Sequence, residues 1–458
     1  MYKLFKKIIK EDNFLSLAGN LLIAVLGLGG FALLTRSLTP NDFAQWVIFI
    51  SGGSFIEMLR FGITNNALVR FLSGATKEES EKLIGSNALI SALTTIGLSL
   101  LMVSINHIFK EAIQNSIYCL FFTWYPLLAL VNLPWNNALI VLQAKMKYGI
   151  ILWIKTLNSG SFFLVLLVNL LFFNLSVTQL IWILITINSI TSFLCMIRGW
   201  DGLFFITKAC KSTNKTLLNF GKYSTFTLIG TNLLRNADLL IISISPLGSE
   251  AVALFSIPLK LTELQQIPLR SFAATAFPKM SKASVEGKIE ELQNTLYTYT
   301  GALTYLFIAI SIVTFVFAEP FVILISGHQY LNTDNTNFDI VALVRIFSIY
   351  GLMLPIDRMT GIGLDSMNKP HINALKVMLM LGTNIIGDII ALFVFESLLL
   401  VALSTLVFTA VGILVGAYFV RQEIEFSAKE IFKSGTSFYK AIWKQLLMMT
   451  KNVKFIKN

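Results

Sequence analysis

Lys260, Glu263, Ile267 and Arg270 follow one another at intervals of three, four and three residues, which sets all four on one face of a helix. At a helical rise this charged stripe is about 15 Å long. Ser54, Glu57, Arg60 and Thr64 form a second stripe, and Thr231, Arg235 and Asp238 a third. Arg345 stands in equally apolar surroundings, Asp357 and Arg358 are adjacent and point in different directions, and neither Arg270 nor Arg345 has an acid three or four positions away. Arginine presents a planar donor fork that binds phosphate bidentately, so this pattern suits recognition of an anionic headgroup. A second reading stays open. Glu57 with Arg60, Arg235 with Asp238 and Lys260 with Glu263 are partners three residues apart that can neutralise each other simply to make insertion tolerable.

Bond-making chemistry finds no such support. His107, His328 and His371 are scattered and place no nucleophile–histidine–acid set, and Cys119, Cys195 and Cys210 have no metal or redox spacing. No GxxxxGK[ST] occurs, and Gly361-Ile-Gly363 lacks a third glycine. We therefore expect no catalytic residue, no metal and no cofactor.

The elements that must carry these charges are membrane spans. Of 458 residues 55% are hydrophobic and 13% charged, and the mean hydropathy is +0.72, which excludes a water-soluble enzyme. The formal net charge of +11 belongs with anionic lipid rather than with nucleic acid. Apolar runs long enough to cross a bilayer occur at 14–35, 43–66, 83–106, 116–142, 150–174, 178–198, 222–245, 250–276, 293–319, 338–364, 372–395 and 398–421. The expected fold class is thus an all-α polytopic membrane protein with twelve transmembrane helices. Lysines and arginines divide 26 to 2 between alternate loops, with only Arg36 and Lys110 on the poorer side, so both termini are expected in the cytoplasm.

Several finer expectations follow. The basic lead Lys3, Lys6, Lys7 and Lys10 reads as an uncleaved first span. Lys155 and Lys376 are expected to snorkel to the inner surface. Trp46, Trp135, Trp153 and Trp200 sit where an interfacial aromatic belt would place them. Pro126, Pro134, Pro258, Pro268 and Pro355 predict kinks, and Gly412 with Gly416 predicts close helix packing. After Arg421, Ile431, Phe438, Ile442, Leu446 and Met449 recur at helical spacing between lysines, which predicts a cationic amphipathic helix on the inner leaflet.

The two halves also match in register. Ser37–Trp46 pairs with Ser245–Phe255 and Arg70–Ser73 with Pro278–Ser281, while Leu142–Lys147 pairs with Leu364–Lys369 after an insertion around 320–337. Six spans per half keep the orientation, which gives a parallel internal repeat. The expected domains are an N-lobe at 1–200, a cytoplasmic linker at 201–221, a C-lobe at 222–421 and a basic amphipathic tail at 422–458.

The stretch Leu34-Thr-Arg-Ser-Leu-Thr-Pro-Asn-Asp-Phe-Ala-Gln-Trp46, with Phe61-Gly62 and Arg70-Phe-Leu-Ser73, resembles the O-antigen-type oligosaccharide flippases of the multidrug/oligosaccharidyl-lipid/polysaccharide exporter superfamily. Asn236–Ile242, Phe277–Ser281, Ile325–Tyr330 and Leu364–Pro370 look like the corresponding stretches of its second half. The resemblance implies a MATE-like fold of two lobes around a central cavity in the bacterial cytoplasmic membrane. Its implied cargo is a polyprenyl-pyrophosphate-linked oligosaccharide, handled by a monomer among membrane lipids and beside glycosyltransferases and a polysaccharide polymerase. Glu57, Arg60, Arg235, Asp238, Lys260, Glu263, Arg270, Arg345 and Arg358 are the candidate substrate-binding residues. A cation-coupled multidrug antiporter of the same superfamily is the alternative, and a membrane-embedded polysaccharide polymerase the third; the first would want carboxylates in excess, the second a large outer loop.

Overall fold

The computed structural model describes residues 12–62, 64–72, 75–331 and 339–455, and among them every regular element is helical. The basic lead, Ser73, most of the insertion after 331, and the side chains of Arg70, Thr231, Arg235, Ile442, Leu446 and Met449 lie outside the described set.

The helices are α1 (Asp12–Ser37), α2 (Pro40–Phe61), α3 (Asn65–Leu72), α4 (Lys77–Ile108), α5 (Lys110–Gln114), α6 (Cys119–Ala144), α7 (Tyr148–Phe172) and α8 (Val177–Ile197). There follow α9 (Lys211–Ser243), α10 (Gly248–Val285), α11 (Ile289–Val316), α12 (Ala318–Ser326), α13 (Ile340–Ser366), α14 (Pro370–Phe393), α15 (Leu398–Arg421) and α16 (Ala428–Phe455). Their starts are written in the sequence. Thr76 and Glu79 form a capping box at α4, Ser176 and Gln179 another at α8, and Asp339 accepts from the Ala342 amide to begin α13.

Each of the twelve apolar runs is overlaid by a long helix. Among the described residues eight helices, α4, α6, α7, α8, α11, α13, α14 and α15, are long and apolar enough to cross a membrane by length and composition alone. The run at 43–66 is cut short: α2 stops at Phe61, and α3 begins at Asn65.

Two compact units divide the chain. The first comprises Met1–Ser256 with Leu324–Gly327, the second Ile257–Ile323 with His328–Asn458. Within the first, α1 packs on α7, α4 on α6, α6 on α8, and α9 against α2, α3 and α4. Arg36, at the end of α1, donates from Nη2 to the Leu324 carbonyl (2.7 Å) and Thr35 to that of Ile325 (2.8 Å), so α1 satisfies last-turn carbonyls of α12. Within the second unit, α11 packs on α13, α13 on α15, and α14 on α15.

These pairings carry the repeat. The couples α4–α6 and α6–α8 correspond to α11–α13 and α13–α15. The matched Leu142–Lys147 and Leu364–Lys369 stretches also end their helices with the same turn. Met146 and Asn368 are both left-handed, at φ 56° and 60°. Lys147 N donates to Leu142 O and Lys369 N to Leu364 O, each at 2.9 Å, which closes a Schellman turn.

Two expectations are corrected. Trp46 is 6% exposed and stacks on Phe162, with centroids 5.6 Å apart, because α2 lies inside its unit. In α16 the described part of the face expected to enter lipid is docked on protein: Ile431 is 2% exposed, and Gly435 meets Gly301 of α11 backbone to backbone.

Candidate functional site

In the first unit the charged stripe of α2 turns inward. Arg60 is fully buried. Its Nε donates to Thr95 of α4 (2.8 Å), Nη1 to Glu57 Oε1 (2.7 Å) and Nη2 to the Ala129 carbonyl of α6 (2.6 Å). That carbonyl adjoins the one of Leu130, which Pro134, with no amide proton, leaves without its helical partner. Ser192 of α8 donates to the nearby Val131 carbonyl and Ser99 to that of Pro126, so side-chain donors line this proline-bent helix. A guanidinium out of water must be fully satisfied, and this one is held on three sides.

Glu57 begins a longer network. Tyr125 OH donates to its Oε1 (3.1 Å), Asn132 to the same oxygen (3.4 Å) and Asn136 to Oε2 (3.1 Å). Asn188 then donates to Asn132 (2.8 Å), and Asn158 to Asn188 (2.6 Å), which ties α2, α6, α7 and α8 together. The Glu57 side chain is 25% exposed and Asn136 is half-buried, so this end of the network approaches a surface. Asp238 of α9 is 4% exposed. The Arg235 side chain is not among those described.

In the second unit the stripe of α10 is nearer the surface. Lys260 Nζ lies 2.7 Å from Glu263 Oε2, with side chains 27% and 35% exposed. Arg270 is exposed and donates from Nη2 to Gln266 one turn back (3.2 Å). Arg345 is exposed and lies over the Phe315 ring, 5.7 Å from its centroid, and Arg358 is exposed as well. Arg60 and Arg270, which stand 210 residues apart at similar places in the two halves, thus occupy opposite environments.

Lys376 does not snorkel. It is 2% exposed, and its Nζ sits 2.6 Å from Asp357 Oδ1 and donates to the Asp357 carbonyl at 2.6 Å. The carboxylate contact is ionic, while the directed hydrogen bond goes to the backbone. The seat for this pair is the Gly412–Gly416 step of α15. A Cβ at Gly412 would lie 2.9 Å from Asp357 Oδ1, and one at Gly416 2.6 Å from Thr360 Oγ1. Sequence reading had left Asp357 and Lys376 unpaired, because their partnership spans two helices.

It missed a second group altogether. Asp388 is fully buried on α14, where Asn384 donates to its Oδ2 (3.2 Å) and Ser404 of α15 to its Oδ1 (3.1 Å). The Asn384–Asp388 spacing of four within an apolar run was the available signal. Outside the spans, Cys210 stands at the N-cap of α9, where hydrogen bonds from Ser212 and Thr213 stabilise the thiolate and bring its pKa down to about 7.

Taken together, the carboxylates of the second unit's α13 and α14, Asp357, Asp365 and Asp388, are engaged by protein, Asp365 through Asn373, while Arg270, Arg345 and Arg358 are exposed. Such an arrangement can attract and hold anions.

Comparison with known proteins agrees with the architecture. A family profile described as polysaccharide biosynthesis protein matches residues 9–284. No curated protein sequence matches the chain significantly. Among solved structures, the inward-facing conformation of a multidrug resistance MATE family transporter of the MOP superfamily aligns with a TM-score of 0.70 at 15% identity, covering 87% of this chain and 94% of that one. The lipid II flippase MurJ, in an inward closed conformation, aligns at 0.67 and 15% identity over 95% and 93%. A MOP superfamily transporter from Pyrococcus furiosus, described as having a binding pocket of reverse polarity, aligns at 0.62 and 15% identity over 90% and 95%. The fold is therefore that of the MOP superfamily, carried by a multi-pass membrane protein.

Proposed function

We propose that this chain, which belongs to the polysaccharide biosynthesis protein family, is a flippase that carries a polyprenyl-pyrophosphate-linked oligosaccharide across the bacterial cytoplasmic membrane. The observation that supports the reading is the balance on α10, α13 and α14 of the second unit: exposed arginines at 270, 345 and 358 against carboxylates engaged by protein at 357, 365 and 388. A cationic drug would want the reverse balance. A pyrophosphate wants guanidinium forks, each able to take two of its oxygens. The lipid tail stays in the bilayer while the headgroup crosses by alternating access, and no bond is made or broken. We take the moving halves as the six-span repeats, 1–200 and 222–421, joined at 201–221, with both termini on the cytoplasmic side as the loop charges predict.

In this reading Arg270, Arg345 and Arg358 contact the headgroup and Lys260 with Glu263 flanks them. Glu57, Arg235 and Asp238 are further candidates, and Arg60 acts through α6 by holding its Ala129 carbonyl. The experiment is export of the surface glycan in a host deleted for this gene and complemented with variants at matched membrane levels. Arg270→Ala is expected to cut export at least tenfold and Arg270→Lys to restore it only in part, since lysine keeps the charge and loses the fork, a loss of about 1.4 kcal/mol or more. Normal export by Arg270→Ala would move the headgroup site elsewhere.

A further inference from the structure

Helix α16 has three faces with three different destinies. Ile431, Gly435 and Phe438 fall within about 60° of each other on the helical wheel. They face protein: a Cβ at Gly435 would come within 2.6 Å of the Gly301 carbonyl, and Phe438 packs edge-on against Phe272 of α10 at 6.5 Å. Thr436 pairs with Tyr305 (2.8 Å), and Tyr439 OH donates to the Ala302 carbonyl (2.9 Å).

Directly opposite, within another sector of about 60°, stand the exposed lysines 429, 433, 440 and 444. Lys433 has an acidic neighbour, Glu430, at 3.2 Å. Between these two faces runs an aromatic ridge, Phe432, Tyr439 and Trp443, which are 45%, 37% and 64% exposed and cover a sector of about 40°.

The place where α16 docks decides what meets that ridge. Gly301, Ala302 and Tyr305 belong to α11, one of the helices long and apolar enough to span, and they stand where its polar first turns, with Glu290, Glu291, Gln293 and Asn294, give way to its apolar stretch. A helix laid across that depth has its open side in the bilayer's boundary region. Aromatic rings with one polar end favour that region, and lysine stems reach from it to the phosphates.

We propose that the outer side of α16 is a binding surface for anionic lipid: Phe432, Tyr439 and Trp443 seat at the headgroup–acyl boundary while Lys429, Lys433, Lys440 and Lys444 engage lipid phosphates. Ile431 and Phe438, which read as membrane face in the sequence, serve as part of the joint to α10 and α11, and the lipid surface is the neighbouring sector. This inference stands apart from the identity of the cargo, since it requires only that α11 spans the bilayer.

The test uses the full chain in nanodiscs of phosphatidylcholine alone or with about 30% phosphatidylglycerol, with hydrogen exchange followed in peptides covering 428–444. Exchange is expected to slow about threefold or more in the anionic discs. Replacing the four lysines with Gln is expected to remove that difference and leave exchange in 297–305 unchanged. Equal exchange in both lipids would overturn the proposal. So would protection that appears in phosphatidylcholine and grows with protein concentration, which would make a second copy the occupant.

Discussion

Lys260 and Glu263 illustrate what a single ion pair can and cannot decide. They lie 2.7 Å apart on one turn of α10, as their spacing foretold. If the pair exists only for mutual neutralisation, removing one partner leaves a charge in an apolar setting and removing both is the gentler change. If Lys260 serves the cargo, the double replacement recovers nothing. We expect export by Lys260→Gln with Glu263→Gln to equal that of Lys260→Gln alone, each at least tenfold below wild type; recovery in the double variant would take Lys260 out of the site. The arginines teach the complementary point. Arg60 and Arg270 align in the repeat, and the sequence offered both as headgroup ligands. Burial separates them, because Thr95 and the Ala129 carbonyl that hold Arg60 belong to helices 35 and 69 residues away. Residue type and local spacing carry i,i+3 partners; they do not carry contacts made by folding.

At the scale of elements, helix positions were legible to within a few residues because hydropathy and capping agree. The Thr76–Glu79 and Ser176–Gln179 boxes open their helices, and the turn at Met146 is repeated at Asn368. What escaped was the destination of each helix face. The face of α16 looked like a lipid face because Ile431 and Phe438 are apolar, yet the glycine at 435 marks a backbone contact that an apolar tally overlooks. Gly412 and Gly416 were read correctly as packing residues, but their load was invisible: they make room for the Asp357–Lys376 pair. A leucine there must push α15 off α13 and α14. Gly412→Leu is expected to cost about 3 kcal/mol through overpacking and disturbance of the ion pair. Leu414→Ala, at a position 69% exposed on the same helix, should sit near wild type in a detergent melting series. A Gly412→Leu protein that melts with the wild type would refute this account of the α13–α15 seam.

For the whole molecule, composition excludes a water-soluble enzyme, and the internal repeat legible in the sequence is matched by the paired couples α4–α6–α8 and α11–α13–α15. Cargo is the level at which the fold falls silent, since MATE transporters and the lipid II flippase MurJ align with the chain at the same 15% identity. The choice rests on charge: exposed arginines in the second unit and occupied carboxylates point to an anionic headgroup. The most direct measurement is therefore movement of cargo by the purified protein in liposomes. A polyprenyl-pyrophosphate-linked saccharide is placed in both leaflets, and the fraction open to a glycan-modifying enzyme added outside is followed over time. The account predicts that this fraction rises from about half towards completion with the wild-type protein and stays near half with Arg270→Ala. A wild-type protein that leaves the saccharide lipid in place while exporting a cationic dye would contradict it.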